Sequence, residues 1–105
     1  MSSSPAGGAK ILLAAAPIAG FSNRASREIM RGHGADIAYG EMVSARALAY
    51  GNRRTLELFD IQGEPSPRVV QICGSDPQHM AAAACFAVEA GAERIDINMG
   101  CPVPK

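Results

Sequence analysis

The sequence has no tryptophan, and only 5% of its 105 residues are aromatic. A core built without large rings relies on small aliphatic side chains and close backbone approach, as layered α/β packing does. There is no net charge, with ten Lys and Arg against ten Asp and Glu. Whole-chain attraction to nucleic acid or to an anionic membrane is therefore excluded, although a local basic patch is not. No apolar run approaches the ~18 residues of a membrane-crossing helix. The run at residues 11–19 is short, is broken by Pro17 and follows a single charged side chain, Lys10, so it lacks the plan of a secretory signal. Cysteine is scarce. Cys73, Cys85 and Cys101 are odd in number and widely spaced, and His33 and His79 complete no zinc spacing with them. Neither a disulfide framework nor a metal site is expected, and a reducing, cytoplasmic setting is. Cys73 and Cys85 read as small buried hydrophobes. The glycine fingerprint Gly-x-Gly-x-x-Gly is missing after the first apolar run, which argues against a dinucleotide-binding fold.

What is present is a 48% hydrophobic composition rich in Ala and Gly, enough for a folded domain. Residues 1–9 carry no periodicity and read as a disordered tail. Residues 10–16 form an apolar run of the kind buried on both faces of a sheet. Pro17 ends it, because proline lacks the N–H a ladder needs. Ser22 is the expected N-cap of a helix over residues 23–31, with Ala25, Ile29 and Phe21 facing inward. Arg24, Arg27 and Arg31 then share a second face. Residues 37–39 are the next strand, leading into Gly40-Glu41-Met42. Ser44 caps a helical segment through Tyr50, and Asn52 restarts a turn through Leu58. Residues 68–72 are the third strand, with Gln71 inside an apolar run. Asp76-Pro77 opens a helix to about Ala90, an Asp N-cap followed by Pro at the first helical position. Its expected apolar stripe is Met80, Ala84, Ala87 and Val88. Residues 94–98 are the fourth strand. Strands joined by crossover helices run parallel and right-handed. A (β/α)₈ barrel takes ~250 residues, so the expected fold is α/β, the N-terminal half of a TIM barrel.

Functional groups in such sheets gather at the carboxyl ends of the strands. The candidates there are Pro17, Ile18 and Ala19 after the first strand, Glu41 after the second, Gln71 near the end of the third, and Asn98 with Cys101 after the fourth. Glu41 alone reads as a solvated loop carboxylate. A buried amide at Gln71 requires hydrogen-bond partners, which a cofactor ring edge or neighbouring backbone would supply. Cys101 sits between Gly100 and Pro102. A thiol of pKa ~8.5 is mostly protonated at neutral pH, so it donates a proton as well as attacks. Arg24, Arg27, Arg31, Arg46, Arg53 and Arg54 would suit a phosphate-tracking surface, but a solvated face is the default reading.

Four blocks together closely resemble the tRNA-dihydrouridine synthase family, in its bacterial B-type branch. They are Ala16-Pro17-Ile18-Ala19-Gly20, Glu41-Met42-Val43-Ser44-Ala45, Val70-Gln71-Ile72-Cys73-Gly74-Ser75-Asp76-Pro77 and Asp96-Ile97-Asn98-Met99-Gly100-Cys101-Pro102. The resemblance implies an FMN-binding TIM barrel over residues 10–105, present here in part. In full-length members a helical RNA-binding domain follows. It implies NADPH-driven reduction of the C5–C6 double bond of particular uridines in tRNA, with Cys101 protonating C5. Pro17, Ile18, Ala19 and Gln71 match positions against the flavin, and Asn98 matches a position beside flavin and flipped-out uracil. Ile18 stands where the family usually has Met, a change of similar volume. By this resemblance, the second half-barrel with its further flavin contacts, and the RNA-binding domain, are expected beyond Lys105. Two alternatives accompany this expectation: an FMN barrel acting on a free pyrimidine, and a non-catalytic truncated half-barrel. A four-stranded sheet cut at this point exposes an edge and apolar helix faces. The 105-residue chain alone is therefore expected to be inactive, to self-associate and to bind FMN weakly.

Overall fold

The computed structural model describes residues 11–18, 20 and 22–100. The expected tail, residues 1–9, lies outside them. Helices begin where a side-chain oxygen takes a backbone N–H that has no partner inside the helix. Asn23 does this for α1 (Arg24–Gly32), Ser44 for α2 (Ala45–Ala49), Asn52 for α3 (Arg53–Glu57) and Asp76 for α4 (Pro77–Glu89). Pro77 stands at the start of α4, where its missing N–H costs nothing. The first cap is Asn23 rather than the expected Ser22. The Ser22 hydroxyl instead accepts from the Ile18 N–H at 2.6 Å, one turn upstream. Gly91 closes α4 with φ of +110°, which a side chain would strain.

The strands are β1 (Ala14–Ala15), β2 (Ile37–Ala38), β3 (Met42–Ser44), β4 (Val69–Cys73) and β5 (Arg94–Ile97). All pairings among the described residues are parallel. Ala15 stands opposite Ala38 in one sheet, and Met42, Gln71 and Asp96 form one row across the other. The expected second strand, residues 37–39, is β2; β3, which follows residues 39–41, was not expected. β2 pairs with β1, and β3 pairs with β4. The chain thus changes its partner part-way along, from β1 to β4, and β3 is too short to stand out as a strand in the sequence. Parallel strands alternating with helices follow the plan of a (β/α)₈ barrel.

The core lies between β3–β4–β5 and the helices. Val43, Val70 and Ile72 meet Ala45, Ala83 and Ala87, with Phe59 and Ile61 closing one side. Phe59 and Phe86 pack edge to face with ring centroids 4.9 Å apart. Ile72 and Val43 are each 1% exposed, and burial of such a side chain contributes about 1.5–3 kcal/mol. Ala83 replaces Val88 in the inward stripe of α4, and Val88 is exposed. Cys73 is buried as expected, whereas Cys85 lies on the outer face of α4. The first apolar run also departs from expectation. Ile11, Leu12 and Leu13 are more than half exposed, because β1 pairs with β2 alone among the described residues.

At the amino ends of β4 and β5, Glu93 binds the Arg68 N–H at 2.9 Å and the Ser66 hydroxyl at 3.1 Å. These bonds, with the Arg68 and Arg94 guanidinium charges, hold its carboxyl below the usual carboxylate range. Among the described residues no helix is long and apolar enough to cross a membrane.

Candidate active site

Side chains alternate across a strand. Val70 and Ile72 face the helices, so Gln71 faces the other way, as do Met42 and Asp96 in the same row. Two residues beyond Asp96, Asn98 returns to that face, and its N–H extends the ladder to Ile72 O at 2.9 Å. The Asn98 amide then reaches diagonally across. Its Nδ2 donates to Gln71 Oε1 at 2.7 Å, and its Oδ1 accepts from the Gly100 N–H at 3.0 Å. The structure therefore brings Gln71 and Asn98 together, and Asn98 ties down the backbone one residue before Cys101. Cys101 itself lies outside the described residues, as does Ala19. Asp96 was missed in the sequence, although the alternation Asp96-Ile97-Asn98 puts it on the same face as Asn98.

The loop after β1 is pinned from two sides. The Ile18 N–H donates to Ser22 Oγ, and Ile18 O accepts from the Ser22 N–H at 2.9 Å. Gly20, at φ of +80°, donates its N–H to Glu41 Oε1 at 2.7 Å. Glu41 is thus a brace for this loop rather than a solvated carboxylate. Pro17 and Ile18 are held at the carboxyl end of β1 with Ile18 59% exposed, an apolar surface presented to solvent.

The six arginines separate into two groups. Arg27 is buried and makes a bidentate pair with buried Glu64, at 2.9 and 2.7 Å. Arg24 binds Asp60 and Gln62 O, and Arg31 binds the carbonyls of Asp36, Ser66 and Pro67. All three fasten α1 to the segment that leads from α3 into β4. This reverses the expected orientation of α1: Ala25 and Ile29 are exposed, while Phe21 lies outside the described residues. The cause is the partner, a loop rich in carbonyls and carboxylates, which selects guanidinium groups over aliphatic ones. Arg46, Arg53 and Arg54 form the other group. They are exposed and make no ion pair among the described residues. Arg46 stacks over Tyr50 at 5.9 Å, and Tyr50 meets His79 edge-on at 6.5 Å.

A cleft of about 330 Å³ between α1 and the β1–β2 pair is lined by Ile18, Ser22, Met30 and Tyr39. A second, of about 390 Å³, lies among Arg24, Glu41, Arg54 and Asp60. Gln71 and Asn98 line neither of these two. Among the described residues no cluster of His, Cys, Asp and Glu would hold a metal ion. Two carboxamides locked edge to edge suit a planar ring whose rim alternates hydrogen-bond donors and acceptors, as the pyrimidine rim of a flavin does. The residues present fit that group.

A family model described as dihydrouridine synthase matches residues 13–105. The chain is 47% identical over 93 residues to the tRNA-dihydrouridine synthase B of Vibrio parahaemolyticus, covering 89% of this chain and 29% of that protein. It is 43% identical over 96 residues to the protein of the same name from Xanthomonas campestris, covering 91% and 28%. For that of Pseudomonas putida it is 46% over 90 residues, covering 86% and 27%. The chain spans less than a third of the length of these curated relatives.

Proposed function

The chain belongs to the dihydrouridine synthase family, and from that premise we propose that it supplies the first units of an FMN-dependent barrel that reduces the C5–C6 bond of specific uridines in tRNA, with NADPH as reductant. When bound, the flavin supplies the hydride. Pro17, Ile18, Ala19 and Gln71 hold the ring, Asn98 orients the neighbouring groups, and Cys101 gives its thiol proton to C5 of the uracil. A thiol near its free pKa of ~8.5 holds that proton at neutral pH and releases it once carbanion character develops at C5. The thiolate regains a proton from solvent. The observation that carries this reading is the bond chain Gln71–Asn98–Gly100, which ends one residue before Cys101. The exposed Arg46, Tyr50 and Arg53 support contact with RNA, because arginine and aromatic faces attract phosphates and unstacked bases. The exposed Cys85 thiol, outside any disulfide, is in keeping with a cytoplasmic setting.

The test uses the full-length protein. Cys101→Ala is expected to abolish turnover on tRNA while leaving flavin reduction by NADPH nearly intact. Equal loss of both half-reactions would make Cys101 structural. Dihydrouridine in tRNA from a strain lacking the gene is expected to fall at particular positions, and unchanged levels would overturn the proposed substrate.

A further inference from the structure

The hydrogen bonds at the end of β4 and β5 have a direction that the backbone sets. The Gly100 N–H is a donor however the neighbouring amides are oriented, and it lies 3.0 Å from Asn98 Oδ1. This turns the oxygen of the Asn98 amide toward Gly100 and its NH₂ toward Gln71, 2.7 Å away. An NH₂ needs an acceptor opposite it, so Gln71 must turn Oε1 to Asn98. The polar group of Gln71 that remains for a ligand is its NH₂. Gln71 cannot reverse without setting two NH₂ groups against each other, and Asn98 cannot reverse without abandoning Gly100.

We propose that Asn98 is a positioning residue that reads the polarity of the Gly100 backbone and passes it to Gln71. Gln71 thereby meets the bound ring only as a hydrogen-bond donor, toward a carbonyl oxygen or an unprotonated ring nitrogen. The inference rests on the flavin reading above and extends it from contact to polarity. It also assigns the pair a chemical effect. A fixed donor at the acceptor rim favours negative charge on the ring without reorganisation, so the bound flavin is easier to reduce. A carboxamide in the opposite orientation would place oxygen against oxygen and disfavour both binding and reduction.

Two nearly isosteric variants of the full-length protein test this. Gln71→Glu keeps an acceptor for Asn98 but puts oxygen where the outward NH₂ was. Asn98→Asp keeps an acceptor for Gly100 but cannot donate, so Gln71 must turn its NH₂ inward and show its oxygen to the ring. Each is expected to weaken FMN binding by roughly tenfold or more and to lower the flavin midpoint potential. Flavin-free protein gives an independent reading through side-chain amide exchange in ¹⁵N spectra. The Gln71 NH₂ protons are expected to exchange freely in the wild type and to become protected in Asn98→Asp. Wild-type FMN affinity in Gln71→Glu, or protected Gln71 protons in the wild type, would overturn the relay. Absence of FMN binding by the wild-type full-length protein would sink the flavin reading, and the amide-exchange pattern would still decide the orientation of Gln71.

Discussion

Glu64→Gln changes one atom in the shortest ion pair among the described residues, and its cost can be worked from the geometry. Glu64 and Arg27 meet through two bonds of 2.9 and 2.7 Å, and their side chains are only 6% and 8% exposed. The guanidinium also binds Ser22 O at 3.0 Å and Asp60 O at 3.2 Å. Those carbonyls stay in the variant, but they carry no charge. Glutamine keeps one oxygen for Arg27 and turns an NH₂ against a guanidinium N–H, leaving a buried cation without its counter-charge. Breaking a buried pair in this way costs about 3–5 kcal/mol, a large share of the ~5–15 kcal/mol that holds a domain. Hydrogen exchange in the full-length protein is the assay. At ~1.4 kcal/mol per tenfold, protection of α1 and of residues 60–67 is expected to fall at least ~100-fold. Should Glu64→Gln fail to fold, the paired change Arg27→Met with Glu64→Leu is expected to recover most of the loss, because it removes both charges. A fall of less than about fivefold in Glu64→Gln would place the pair among solvent-screened contacts and refute the reasoning.

Glu41→Ala removes the acceptor for the Gly20 N–H. It is expected to weaken FMN binding about tenfold in full-length protein, with the melting temperature within a few degrees of wild type; unchanged affinity would show that the loop holds itself. Glu93 has its folded pKa lowered, first by the Arg68 N–H and then by the Ser66 hydroxyl. Its stabilising contribution is therefore complete above the unfolded value of ~4.3 and is lost as pH falls through the lower folded value. Urea midpoints of wild type and Glu93→Gln should differ at pH 7 and converge in acid, and a gap that stays constant with pH would contradict this. The 105-residue chain expressed by itself is expected to self-associate through Ile11, Leu12, Leu13, Ile97 and Met99, all more than half exposed. Analytical ultracentrifugation reads this, and a monodisperse monomer would count against it.

Local signals were legible wherever a residue acts on its own neighbours. Asp76-Pro77 started a helix, and Ser44 and Asn52 capped, because each depends on backbone groups within a few residues. The strand that carries Gln71 was readable from its apolar flanks, and the order of strands and helices was enough for parallel pairing and a barrel-type fold. The tertiary structure decided what depends on a partner distant in sequence. Arg27 looks like a solvated charge until Glu64, 37 residues away, is folded against it. Glu41 looks like a loop carboxylate until Gly20 supplies an N–H. Gln71 and Asn98 were each suspect as polar residues near strand ends. Only the parallel register, which sets Gln71 across from Asp96 and one diagonal step from Asn98, joins their amides. The amino-acid order thus determined which chemical groups arrive at the end of the sheet. Pairing between strands decided which of them touch, and with it the direction in which each amide points, because hydrogen-bond polarity belongs to a contact and not to a residue.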